Sequence, residues 1–190
     1  MTTHPLSRFT LSHAARAAAL CIGALTLAAS AQAAGDKAAY SQTKDAAKAT
    51  YETSKKSCDA ISGNAKDICV AEAKAVRIKT EVDAEAMYKN TPKARAHAIE
   101  ETAEANYKVA KERCDDKKGN DKDVCVTEAK ATMVKAKADA KAARKGTEAR
   151  MDASKDKREA DYKVAAEKCD AMSGDAKSSC VAAAKAQYKM

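Results

Sequence analysis

Cysteine is the residue type in this 190-residue chain whose spacing could support chemistry. Six of its seven cysteines form three pairs, and each pair has the same C-x10-C spacing. Redox enzymes usually carry C-x-x-C, c-type haem attachment needs C-x-x-C-H, and structural zinc sites need ligands at closer spacing. None of these motifs occurs, so the cysteines are predicted to form structural disulfide bonds.

Other residues suited to catalysis or metal binding are scarce. Beyond the first 33 residues the only histidine is His97, which lies in a Lys/Arg/Ala segment and is predicted to be exposed. There is no Ser/His/Asp grouping, glycine-rich phosphate loop or H-E-x-x-H motif. We therefore expect no catalytic residue, no cofactor and no metal, and a protein that is not an enzyme. A local acidic cluster does not match the offsets of a calcium loop, and its members are Asp115, Asp116, Asp121 and Asp123.

The most one-sided charge lies in residues 129–145, with six basic side chains and one acid, Asp139. Such Ala/Lys segments also occur in tails that bind nucleic acid. However, 27 acidic residues are interspersed with the bases along the chain, which favours a solvated mixed-charge face and no nucleic-acid partner. The candidate basic residues are Lys130, Lys135, Lys137, Lys141, Arg144 and Lys145.

Residues 1–33 have the layout of a cleaved signal peptide. Two arginines precede an apolar run that is too short to cross a bilayer, and small-x-small signals follow it. Export to an oxidising compartment would suit the six remaining cysteines. We therefore expect a periplasmic protein with no transmembrane segment in its mature form. The rest of the chain has no Leu, Phe or Trp and only 13 Ile and Val, so its apolar content is mostly alanine.

The cysteines belong to a 25-residue stretch that occurs three times, starting at Tyr51, Tyr107 and Tyr162. Ten positions are identical in all copies, including a glycine between the two cysteines. A helix that stops near each glycine and restarts after it would form a helical hairpin. Both cysteines would then stand about 8 Å from the turn, with Cα atoms about 4–6 Å apart. The predicted disulfides are Cys58–Cys69, Cys114–Cys125 and Cys169–Cys180.

The predicted fold is therefore all-α, with three tandem antiparallel hairpins in an elongated array or a loose bundle. The hairpins are expected over residues 34–91, 92–147 and 148–190, the third being shortened. Asn64 is expected to cap its helix, and the repeat tyrosines are expected to pack beside the disulfides rather than form a binding platform. A continuous helix through Gly146 is an alternative to a break there. The helices are predicted near 36–62, 65–89, 92–118, 121–145, 148–173 and 176–189.

The pattern C-D-x3-G-[ND]-x-K-x2-C-V, with an upstream Tyr and a downstream A-K-A, resembles small secreted proteins of β-proteobacteria. These are helical-repeat proteins of unknown function, often called TolA-like cell envelope biogenesis proteins. The resemblance implies the cell envelope and supplies no catalytic or binding residue. We expect a non-enzymatic structural or interaction module whose partner is an envelope component. The alternatives are a binder of anionic surfaces, such as lipid headgroups or lipopolysaccharide, and a periplasmic chaperone-like stress protein.

Overall fold

The computed structural model describes residues 35–190, and every regular element in that range is an α-helix. This confirms the all-α prediction. The predicted signal peptide lies outside the described residues. No helix within 35–190 is long and apolar enough to cross a membrane. The five helices are α1 (Lys37–Cys58), α2 (Gly63–Lys89), α3 (Pro92–Cys114), α4 (Gly119–Cys169) and α5 (Gly174–Tyr188).

Each helix packs only against its neighbours in sequence. The first four helices follow one another antiparallel, with α3 between α2 and the first part of α4. Helix α5 packs only against α4, to whose last residue, Cys169, it is joined by a disulfide. The arrangement is the predicted array of three hairpins, each closed by one disulfide.

The turns of the hairpins differ from the prediction at their helix ends. Helix α1 ends at Cys58, and tight i to i−3 hydrogen bonds carry the chain through the turn. Gly63 has a φ of +61°, which an L side chain rarely adopts, so this turn favours the glycine that every copy of the repeat carries. The predicted capping by Asn64 is wrong. Helix α2 begins at Gly63 without a side-chain cap, and Asn64 lies inside its first turn. The Asn64 amide instead donates a hydrogen bond to the carbonyl oxygen of Glu112, 2.9 Å away on α3.

The connection between α2 and α3 agrees with the prediction. Asn90 ends α2 in the left-handed conformation with a φ of 44°. The Thr91 hydroxyl then accepts a hydrogen bond of 3.1 Å from the backbone N–H of Ala94. Pro92 takes the first helical position, where its missing N–H costs nothing.

The predicted break at Gly146 is wrong, and the continuous helix is correct. Helix α4 runs for 51 residues through this position. In the first connection Pro92 follows Asn90 by two residues and cannot continue a helix. Glu148 follows Gly146 by two residues, keeps its N–H and pairs with Arg144 at 2.9 Å. Thr147 donates its hydroxyl to the carbonyl of Ala143 instead of capping a new helix. The predicted segments 121–145 and 148–173 are therefore one helix.

The buried residues of this array are small. Within residues 35–190, ten of the fourteen buried apolar residues are alanine, and three of the others are half-cystines. One cluster lies where α2 meets α3 and contains Ala86, Ala94 and Ala98, with Val82 packed against it. Because alanine buries little area per residue, the disulfides contribute a large share of the stabilisation.

Candidate interaction site

The three hairpin tips have nearly the same geometry. The Cα atoms of the bridged cysteines are 5.8, 5.7 and 5.7 Å apart, within the predicted range. The first cysteine of each pair is the most deeply buried residue of its hairpin, at 1% exposure. All three predicted disulfides are confirmed, and they fit an oxidising compartment. The first cysteines are Cys58, Cys114 and Cys169.

An ion pair that the sequence did not lead us to expect closes every tip. In the first hairpin the Lys66 ammonium lies 2.8 Å from the Asp59 carboxylate across the turn. The hydrogen bond from Lys66, together with its positive charge, lowers the pKa of Asp59 below its ordinary value. A lysine seven residues after the aspartate is identical in all three copies, and that recurrence was the available signal. The other two pairs are Asp115–Lys122 and Asp170–Lys177, both at 2.9 Å.

The tips are divided between the two ends of α4. Helix α4 starts at the second tip and ends at the third, and 51 residues at 1.5 Å per residue separate them by about 75 Å. The first tip lies beside the second, because Asn64 bonds to Glu112 and the Arg113 guanidinium pairs with Glu72. The protein therefore has two adjacent tips at one end of α4 and a single tip at the other.

The repeat tyrosines Tyr51, Tyr107 and Tyr162 are all half-buried. The ring of Tyr51 lies under the guanidinium of Arg77 on α2, with 4.8 Å from the guanidinium carbon to the ring centroid. The position equivalent to Arg77 holds Met133 in the second hairpin and a tyrosine in the third. The residue type at this position thus differs from copy to copy.

The predicted basic stretch lies on α4, partly opposite acidic residues of α3. Lys137 pairs with Glu104, and Arg144 pairs with Glu148 within α4. The hydrogen bond from Lys137 is the main reason that the pKa of Glu104 lies below its ordinary value. The remaining members of the stretch, Lys130, Lys135, Lys141 and Lys145, are exposed.

His97 and the acidic cluster at residues 115–123 lie at opposite ends of α3. His97 is exposed on α3, as predicted. Asp115, one member of the acidic cluster, is paired with Lys122. Within residues 35–190 no group of three or more His, Cys, Asp or Glu side chains is arranged to hold a metal ion.

No protein-family model, curated protein or solved structure matches this chain. The repeated tips and the helices that position them are the features of this chain that bear on its function.

Proposed function

We propose that this chain is a non-enzymatic periplasmic helical repeat protein that acts as a structural or interaction module of the cell envelope. The division of equivalent tips between the two ends of α4 is the observation that supports a bridging role. A continuous helix about 75 Å long can hold partners apart while offering each a similar contact.

The contact itself is assigned to the hairpin tips. Each tip is fixed by a disulfide and by the Asp–Lys pair, so little conformational entropy is lost when a partner binds it. Two of the tips also expose an apolar side chain: Ile61 is 43% exposed at the first tip, and Met172 is 48% exposed at the third. Shallow, repeated surfaces suit weak contacts that gain strength from multivalency.

The proposed location in the periplasm and the cell envelope is based mainly on the sequence. A predicted signal peptide, six paired cysteines and the resemblance to TolA-like secreted repeat proteins support that location. The intact mass of the secreted form tests the export step. It should correspond to a chain that begins between Gln32 and Gly35, and a stable species that retains Met1 would contradict it.

Binding is tested with a periplasmic pull-down followed by affinity measurements on tip variants. The tip lysines are replaced one at a time and together, as Lys66→Glu, Lys122→Glu and Lys177→Glu. We expect the affinity for an envelope fraction to fall stepwise as more tips are altered. Lys93→Glu is the control, since Lys93 is exposed at the opposite end of α3 from the tips. Equal binding by all variants, or no binding to any envelope fraction, would refute the interaction role.

A further inference from the structure

Helix α4 carries both of the surfaces that pack against each other between α2 and α3. In the repeat, the first half of α4 is equivalent to α2 and its second half is equivalent to α3. Helices α2 and α3 pack against each other because the chain turns at Asn90 and Thr91. The equivalent halves of α4 cannot meet within one chain, because α4 continues through Gly146.

The residues that α2 covers on α3 are uncovered on the second half of α4. Ala94, Ala98 and Ala105 are 8%, 5% and 3% exposed on α3. Their equivalents, 55 residues later, are all exposed, and these are Ala149, Ala153 and Ala160. Val109 follows the same pattern, since it is 7% exposed and its equivalent Val164 is 57% exposed.

The first half of α4 likewise exposes the residues whose equivalents on α2 are covered by α3. Ala86 of α2 is buried against α3, whereas the equivalent Ala142 is exposed. Ile78 of α2 is half-buried, and the equivalent Val134 is 52% exposed. Both surfaces that would form a further α2–α3 contact are therefore present and open.

The polar contacts of the α2–α3 interface also have matching equivalents. The pair between Glu72 and Arg113 becomes Glu128 and Lys168, which keeps the charge of both residues. The hydrogen bond from Asn64 to the backbone carbonyl of Glu112 would be made by Asn120 to the carbonyl of Glu167, which keeps the amide donor. The apolar and the polar residues of α4 thus both match the α2–α3 interface.

We infer that the open face of α4 binds the α4 of a second copy, antiparallel, to form a two-fold dimer. The first half of each α4 would pack on the second half of the other in the register of α2 and α3. Because Ala142 of one copy would then face Ala149 of the other, the axis passes beside Lys145 and Gly146. This is a domain-swapped version of the contact that a turn at Gly146 would have made within one chain.

The dimer makes the two ends of the assembly equivalent. Each end would hold the first and second tips of one copy and the third tip of the other. The contact should be weaker than that of α2 with α3, because Val134 and Ala138 replace the larger Ile78 and Val82. A dimer that depends on protein concentration is therefore expected.

Sedimentation velocity and light scattering on the disulfide-bonded chain test this inference. We expect a mass that approaches twice that of the chain as the concentration rises. Glu128→Lys and Lys168→Glu should each raise the dissociation constant about tenfold, since each replaces two symmetry-related attractions with repulsions. An equimolar mixture of the two variants should dimerise like the unaltered chain, because both cross-chain pairs are then complementary.

Asp161→Lys serves as the control, because the equivalent Asn106 stays exposed although α3 is covered by α2 and α4. It should leave the dissociation constant unchanged. A monomer at all concentrations, whether extended or folded back at Gly146, overturns the inference. So does a dimer that is indifferent to both charge reversals, or a mixture that does not recover.

Discussion

The ring of Tyr40 stacks on the ring of Tyr88, with centroids 5.0 Å apart and an angle of 7° between the ring planes. This pair joins α1 to α2 at the end of the first hairpin opposite its disulfide. Neither tyrosine belongs to the 25-residue repeat. The first hairpin is therefore fastened at both ends, by a covalent bond at one and by an aromatic contact at the other.

Replacing Tyr88 with alanine should destabilise the first hairpin. Aromatic pairs contribute about 1 kcal/mol beyond the area they bury, so Tyr88→Ala should lower the free energy of unfolding by at least that amount. Tyr88→Phe keeps the ring and should change it little. Thermal unfolding followed by circular dichroism measures both, and equal losses in the two variants would contradict a role for stacking.

Replacing Gly146 or Gly119 of α4 with alanine should change the stability of the protein in opposite directions. Gly146 is helical, and a Cβ there would meet only the Arg150 side chain at an ordinary 3.7 Å, so Gly146→Ala should add up to about 1 kcal/mol to the stability. Gly119 has a φ of +55°, so Gly119→Ala should cost about 1 kcal/mol. Urea unfolding compares them. A loss of stability in the first variant would argue that α4 bends or breaks at Gly146.

The third hairpin should depend on its disulfide more than the others. Helix α5 has 15 residues and packs only on α4, and an isolated helix of that length is marginal in water. Replacing Cys169 and Cys180 with serine should remove about 3 kcal/mol and raise hydrogen exchange across α5.

The matched control replaces Cys114 and Cys125, whose hairpin is also held by α2. It should keep more of its exchange protection. Peptide mapping without reduction should find only the three bridges within the hairpins. Bridges between repeats, or unchanged melting after reduction, would refute the stapling argument.

Stability should fall in acid, in part through Glu104. The Lys137 hydrogen bond and charge hold the pKa of Glu104 below its ordinary value of 4.5. A carboxyl whose pKa is lowered by folding stabilises the fold above the unfolded pKa, and this contribution is lost as the pH falls through the folded pKa. Glu104→Gln should therefore flatten the loss of stability below about pH 4.5.

Glu52→Gln is the control for that measurement, because Glu52 is exposed on α1. The melting temperature of this variant should fall in acid as it does for the unaltered chain. The prediction fails if Glu104→Gln leaves the acid limb of the melting profile unchanged.

The hairpins were predictable from sequence because their signals are local and recur three times. A glycine midway between two cysteines sets the turn, the pairing and the distance between the Cα atoms. The continuity of α4 was harder to predict, since an interior glycine costs only about 1 kcal/mol and leaves either outcome open. The two connections differ two residues further on, because Pro92 follows Asn90 and has no N–H, whereas Glu148 follows Gly146 and keeps its N–H.

The contacts between hairpins could not be predicted, because they join residues that no local pattern relates. Asn64 looked like a helix cap, yet its amide bonds to Glu112, 48 residues away on α3. The Asp59–Lys66 pair was within reach of the sequence, since both residues are identical in every copy. Lysine is common throughout this chain, so an identical lysine at one repeat position does not by itself indicate an ion pair.

A core made largely of alanine also determines how the protein responds to temperature. The heat-capacity change of unfolding grows with the apolar surface that becomes exposed, and typical proteins gain about 12–15 cal/mol/K per residue. The alanine-lined contacts of this array expose less, so its heat-capacity change per residue should lie below that range. Its stability should then vary little between cold and warm conditions.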